Sequence, residues 1–140
     1  MNTSIEGGCL CGTVRYRFTG ESLARSLCHC RTCRHASGAP SVAWIILRSG
    51  EFAFIAGVPA RFHSSPGVVR TFCNLCGTQL TYQRTSQPET IDITTATLDF
   101  PDAFAPTREI WIEHKLVWEN LHPALEQFPR SSVGASRNVT

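Results

Sequence analysis

The sequence predicts a mainly β protein built from one domain, and three observations carry the prediction. Short runs in which apolar and polar residues alternate dominate the chain, and amphipathic stretches of helical period are nearly absent. Gly, Pro, Ser and Asp punctuate the runs as turns between antiparallel strands would. A length of 140 residues closes one ordinary core and is too short for two.

The elements follow in order. Val14, Tyr16 and Phe18 alternate with Thr13, Arg15 and Arg17, the period of a half-buried strand. "VAWIIL", Val42 to Leu47, is apolar on both faces, as a central strand is, and as the longest apolar run it is far too short to cross a membrane. Phe52 and Phe54, Leu80 and Tyr82, Ile91 and Ile93, and Ile110 and Ile112 repeat the alternation. "TLDFPDAFAP", Thr97 to Pro106, breaks it with two prolines and two aspartates and suits a turn or one short helix. The expected domain covers residues 1–129, and the small, polar residues 130–140 are expected to form a disordered tail.

Composition narrows the function. A net charge of +2 is too mild to argue for nucleic acid, and no segment argues for a membrane. The start "MNTSIEGG" has neither the basic residues nor the apolar stretch of an export signal, so a cytoplasmic, reducing location is expected. Seven cysteines there point to metal or thiol chemistry rather than disulfides, and an odd number cannot all pair within one chain.

The cysteines fall into two sets. Cys9 and Cys11 in "GGCLCGT", and Cys73 and Cys76 in "FCNLCGT", are each followed by Gly and Thr, then by an alternating strand. A glycine there lets the backbone take a positive φ and turn two sulfurs toward one ion. Two such knuckles make a closed four-thiolate site, the composition of structural zinc. Cys28, Cys30 and Cys33 remain, in "SLCHCRTCRHASGAP". Three ligands and a vacancy is the pattern of a catalytic zinc. A second structural site completed by His29 or His35 is the competing reading. His29 is disfavoured if the segment is extended, because its side chain then points away from those of Cys28 and Cys30. Three thiolates overcompensate Zn²⁺ and suit thiol chemistry better than hydrolysis. Arg31 and Arg34 are candidate substrate-binding residues that would offset the excess charge and attract the carboxylates of an acidic thiol.

"GGCLCGTVRYRF", "CHCRTCRHASGAP", "FHSSPGVVRTFCNLCGTQLTY" and "TATLDFPDAFAPTREIWIEHKLVW" resemble, in order and spacing, the blocks of the glutathione-dependent formaldehyde-activating enzyme family, which includes proteins similar to centromere protein V. The resemblance runs from about Gly7 to Trp118. It implies a Mss4-like fold of packed antiparallel sheets with two zinc ions. Cys9, Cys11, Cys73 and Cys76 would hold the structural one, and Cys28, Cys30 and Cys33 the catalytic one. The implied activity is that of a carbon–sulfur lyase of the S-(hydroxymethyl)glutathione synthase type, with glutathione or another small thiol as partner. His29, His35 and His63 are candidate acid–base groups because they lie in or near the blocks.

Two other classes compete. A non-enzymatic zinc module would need an exposed surface, which Trp111, Trp118 and Phe128 could supply. Thiol redox catalysis of the methionine-sulfoxide-reductase type needs a metal-free cysteine late in the chain, and none follows Cys76.

Overall fold

A computed structural model describes residues 3–132 and is mainly β. The chain divides into two compact units. Among the described residues the first takes 3–24 and 45–105, and the second takes 25–44 and 106–132.

The first unit contains a three-stranded antiparallel sheet of β1 (Ile5–Gly8), β2 (Arg15–Phe18) and β5 (Phe52–Ala56), with β2 central. The alternation around Tyr16 works as the sequence requires, because Tyr16 and Phe18 are wholly buried while Arg17 between them is exposed. Tyr16 stands opposite Phe54, and Phe18 opposite Phe52. The Tyr16 and Phe52 ring centroids are 5.5 Å apart, and Phe52 meets Phe54 edge-on at 5.1 Å. Phe104, from the short 3-10 turn Pro101–Phe104, packs edge-on against Phe18 at 6.0 Å. The proline-rich segment is thus the turn that the sequence suggests, and it contributes to the core. The Tyr16 hydroxyl lies 2.7 Å from Thr97 Oγ1, and burial pushes its pKa up to about 12.

The same unit holds an antiparallel meander of β6 (Ala60–Ser65), β7 (Val68–Phe72), β8 (Gln79–Arg84) and β9 (Thr90–Thr94). Leu80 and Ile93 are fully buried and join Ile45, Leu47, Val14, Tyr16 and Phe18 in one apolar cluster. Ile45 and Leu47 lie on β4 (Val42–Arg48), along which the chain passes from the second unit into the first.

Sequence patterning does not foretell β6 and β7. Val68, Val69, Arg70 and Thr71 are all buried, so β7 has no polar face. Arg70 is accommodated because Nε donates to Ser64 Oγ, Nη1 donates to Gln79 Oε1, and its guanidinium lies 5.0 Å from the centroid of the Tyr82 ring. In the cross-strand row Arg70, Tyr82 and Asp92, the last carboxyl is pushed up to about 7 by burial, against the pull of Arg84 and Arg70.

The second unit is organised around β3 (Ala24–Cys28), which lies between β4 and β10 (Arg108–Ile110), while β11 (Glu126–Gln127) borders β10. Both β3–β10 and β10–β11 run parallel, so β10 adds parallel pairings to the antiparallel ones that the sequence leads one to expect. Ile112 is not part of the strand that Ile110 ends. Trp111 adopts a left-handed conformation, φ 58° and ψ 37°, and Ile112 opens the 3-10 turn Ile112–His114. The backbone N–H groups of Trp111, Ile112 and Glu113 donate instead to the carbonyls of Arg130, Phe128 and Pro129. The expectation of a tail falls mainly on residues 133–140, which lie outside the described residues.

The raised Asp92 pKa gives a testable pH dependence. The folded protein holds this proton more tightly than the unfolded chain does, so the contribution to stability is full below about pH 4 and is lost as pH rises through about 7. We expect Asp92→Asn to remove this loss. Thermal melts at a series of pH values should show the variant gaining several degrees on the wild type between pH 5 and 8, and a constant gap would contradict the assignment.

Candidate metal centres

Each unit contains one cysteine cluster. In the first, the Sγ atoms of Cys9, Cys11, Cys73 and Cys76 all lie within 4.8 Å of one another. Cys9 and Cys11 sulfurs are 3.6 Å apart, and those of Cys11 and Cys73 are 3.8 Å apart. Sulfurs at the corners of a tetrahedron about zinc, with Zn–S near 2.3 Å, are about 3.8 Å apart, so the four residues fit the ion.

Both arms are built alike. The N–H of Cys9 donates to the Val14 carbonyl and that of Gly12 to the Cys9 carbonyl, while Cys73 donates to Thr78 and Gly77 to Cys73. Gly12 and Gly77 take φ values of 82° and 84°, the conformation expected of the glycine after each second cysteine. The repeated threonine also has a function that sequence reading left unexplained. Thr13 Oγ1 lies 3.2 Å from Cys11 Sγ, and Thr78 Oγ1 lies 3.2 Å from Cys76 Sγ. Thr78 Oγ1 also accepts from the N–H of Leu10, which ties one arm to the other.

Backbone amides add to the field. Cys9 Sγ accepts from Val14 N–H at 3.2 Å, and Cys73 Sγ accepts from Leu75 and Cys76 N–H. Burial raises the Cys9 pKa, but the Val14 hydrogen bond and those with Cys11 and Cys73 outweigh it, and the net shift is downward. Cys76 is lowered to about 5, first by the Thr78 side chain and then by the backbone hydrogen bonds. At Cys9 and Cys76 the site thus favours thiolate, the form in which sulfur binds metal, while at Cys73 the backbone N–H groups of Cys76 and Leu75 are outweighed by burial and the neighbouring sulfurs, and the shift is upward.

In the second unit the Sγ atoms of Cys28, Cys30 and Cys33 likewise all lie within 4.8 Å of one another. Cys28 ends β3, and Cys33 lies on the one α-helix among the described residues, α1 (Arg31–Ser37). Cys30 is its N-cap and accepts the Cys33 N–H at Sγ, 3.3 Å away. Gly38 ends the helix in a left-handed conformation. Sulfur crowding raises the Cys28 pKa through hydrogen bonds to Cys30 and Cys33, with burial adding to it. A divalent cation reverses that balance, so the donor set fits a metal ion.

No His, Cys, Asp or Glu atom joins this trio as a fourth ligand among the described residues. The remaining residues, 1–2 and 133–140, contain none of these types. His35 is exposed on α1. His29 is wholly buried, with Nε2 2.7 Å from Glu109 Oε1, a pairing that sequence reading missed. His63 lies exposed on β6 in the first unit and belongs to neither cluster. Arg31 is exposed. Arg34 is partly covered, lies one helical turn after Cys30, and has a buried Nε with no hydrogen-bond acceptor.

No helix among the described residues is long and apolar enough to cross a membrane. The family model for glutathione-dependent formaldehyde-activating enzyme matches residues 4–114. Among solved structures, the chain resembles a crystal structure of a Rhodobacter sphaeroides protein solved as a structural-genomics target. Identity is 26% and the TM-score 0.57, over 67% of this chain and 87% of that one. No match is found among curated proteins.

Gly77 provides a direct test of the arm geometry. A Cβ there meets no neighbour, so the cost of Gly77→Ala is the left-handed backbone itself, about 1–2 kcal/mol. We expect a lower thermal midpoint and weaker metal retention at the four-cysteine site, measured by melting with and without chelator. A neutral substitution would show that the turn is not strained by a side chain.

Proposed function

Because the chain belongs to the glutathione-dependent formaldehyde-activating enzyme family, we propose that it is a zinc-dependent carbon–sulfur lyase acting on an aldehyde adduct of glutathione or another small thiol. The observation that carries this reading is the cluster of three sulfurs without a fourth protein ligand. Cys28, Cys30 and Cys33 would hold the catalytic ion and leave one position for substrate, and Cys9, Cys11, Cys73 and Cys76 would hold a structural one. Zinc at the trio would supply Lewis acidity and favour a substrate's thiolate over its thiol.

In the synthetic direction the sulfur–carbon bond forms, the carbonyl π pair moves to oxygen, and the proton lost by sulfur ends on that oxygen. The reverse step regenerates thiol and aldehyde. No oxidant or reductant enters. The buried, acceptor-free Nε of Arg34 supports an anionic substrate, because a carboxylate there would satisfy the donor and offset the excess negative charge of three thiolates. Arg31, exposed on the same helix, would add attraction at longer range.

A second reading, an interaction module, draws on Leu10 and Leu75, which lie between the ligands of the two arms and are 88% and 71% exposed. Metal and turnover separate the two. Protein purified without chelator should contain two zinc ions per chain by elemental analysis, one of which responds to glutathione. Cys30→Ser should lose that one together with turnover of aldehyde–thiol adducts, while Cys9→Ser should lose the other and much of the cooperative melt. Full turnover by Cys30→Ser would end the lyase reading, and two zinc ions indifferent to thiols would favour the module.

A further inference from the structure

Glu109 is wholly buried on β10, an expensive place for a carboxylate unless both oxygens are satisfied. They are. Oε1 lies 2.7 Å from His29 Nε2, and Oε2 accepts the backbone N–H of His122 at 2.5 Å. The His122 ring adds Nδ1 at 3.5 Å from Oε2. The Nε2-protonated tautomer of His29 matches this contact, since a carboxylate oxygen accepts. This agrees with the other face of the ring, where the buried Nδ1 has no hydrogen-bond partner.

His29 is the residue between two of the three sulfurs, and its own N–H donates to the Ile110 carbonyl. Ring and backbone are therefore both fastened to β10. His122 lies at the far end of the segment that leaves β10 at Trp111, in the left-handed conformation, and returns at β11. This segment carries Val117 and Trp118, both strongly exposed. One carboxylate thus joins the metal loop to the end of residues 111–122.

We propose that Glu109 is a positioning residue that couples metal occupancy at Cys28, Cys30 and Cys33 to the ordering of residues 111–122. The proposal rests on the reading that the trio holds metal, and deepens it. Metal holds the two flanking cysteines and so the His29 ring. The ring fixes the Glu109 carboxylate, and the carboxylate fixes the His122 amide. Loss of metal frees the first link, and the segment loosens with it. Loss of Glu109 frees the ring, and the trio holds its metal less well. Outer-shell partners of this kind change metal retention about 10–100-fold.

The test uses the whole chain loaded with cadmium, whose three- and four-thiolate NMR resonances report the two sites separately, together with amide hydrogen exchange. Stripping the trio with chelator should speed exchange at His122 and across 111–122 at least about 10-fold. The Val14 amide at the other site should not change. Glu109→Ala should release the trio's cadmium about 10–100-fold faster, leave the four-cysteine resonance unaffected, and exchange rapidly at His122 whether loaded or not. Glu109→Gln should restore most of the retention, since its amide can donate to the other His29 tautomer while its oxygen accepts from His122.

Unchanged trio release in Glu109→Ala, or release quickened equally at both sites, would overturn the proposal. So would wild-type exchange at His122 that ignores occupancy, a measurement that needs no variant to fold. A wild type with no three-thiolate resonance would instead remove the premise that the trio binds metal, and the proposal with it.

Discussion

Mutual repulsion of sulfur is the constraint on which the two units depend. Four thiols of the first unit and three of the second are each gathered within 4.8 Å, and neither group can ionise fully without a cation. The protein prepares one cluster with backbone N–H donors from Val14, Leu75 and Cys76 and with hydroxyl contacts, Thr78 beside Cys76 and Thr13 accepting from Cys11. In the other, the Cys33 N–H donates to Cys30 Sγ, and the hydrogen bonds with Cys30 and Cys33, then burial, push the Cys28 pKa up.

What was legible in the sequence is what is local. Ligand spacing, the glycine after each second cysteine and the alternation around Tyr16 depend on neighbours a few residues away, and the structure matches them. The Gly-Thr ending shared by two of the cysteine pairs also divides the seven cysteines into four and three, the two clusters that the structure gathers. Helix α1 was hidden for a local reason too. Its seven residues are too few to show a period, and its cap is a thiol rather than the usual Ser, Thr, Asp or Asn.

The remainder depends on distant partners. Arg70 reads as a surface residue until Ser64, Gln79 and Tyr82 are brought around it. His29 reads as a free base beside two cysteines until Glu109, 80 positions later, claims its ring. Ile110 and Ile112 continue an alternation that Trp111 interrupts, because the carbonyls awaiting the next amides belong to residues 128–130. No pattern of period two records a strand that stops to meet another part of the chain.

The parallel pairing of β3 with β10 also orders events in time. A ribosome delivers Cys76 well before Arg108, so every ligand of the four-cysteine cluster has emerged while β3 still lacks the strand on which its end is fastened. Cys28, Cys30 and Cys33 are made early, whereas the carboxylate that meets the His29 ring between them follows 80 residues after that histidine. During that interval the trio lacks the His29–Glu109 contact, while all four cysteines of the first unit's cluster are already made. The order of synthesis therefore gathers the ligands of the first unit's cluster before the second unit's cluster gains its partner strand.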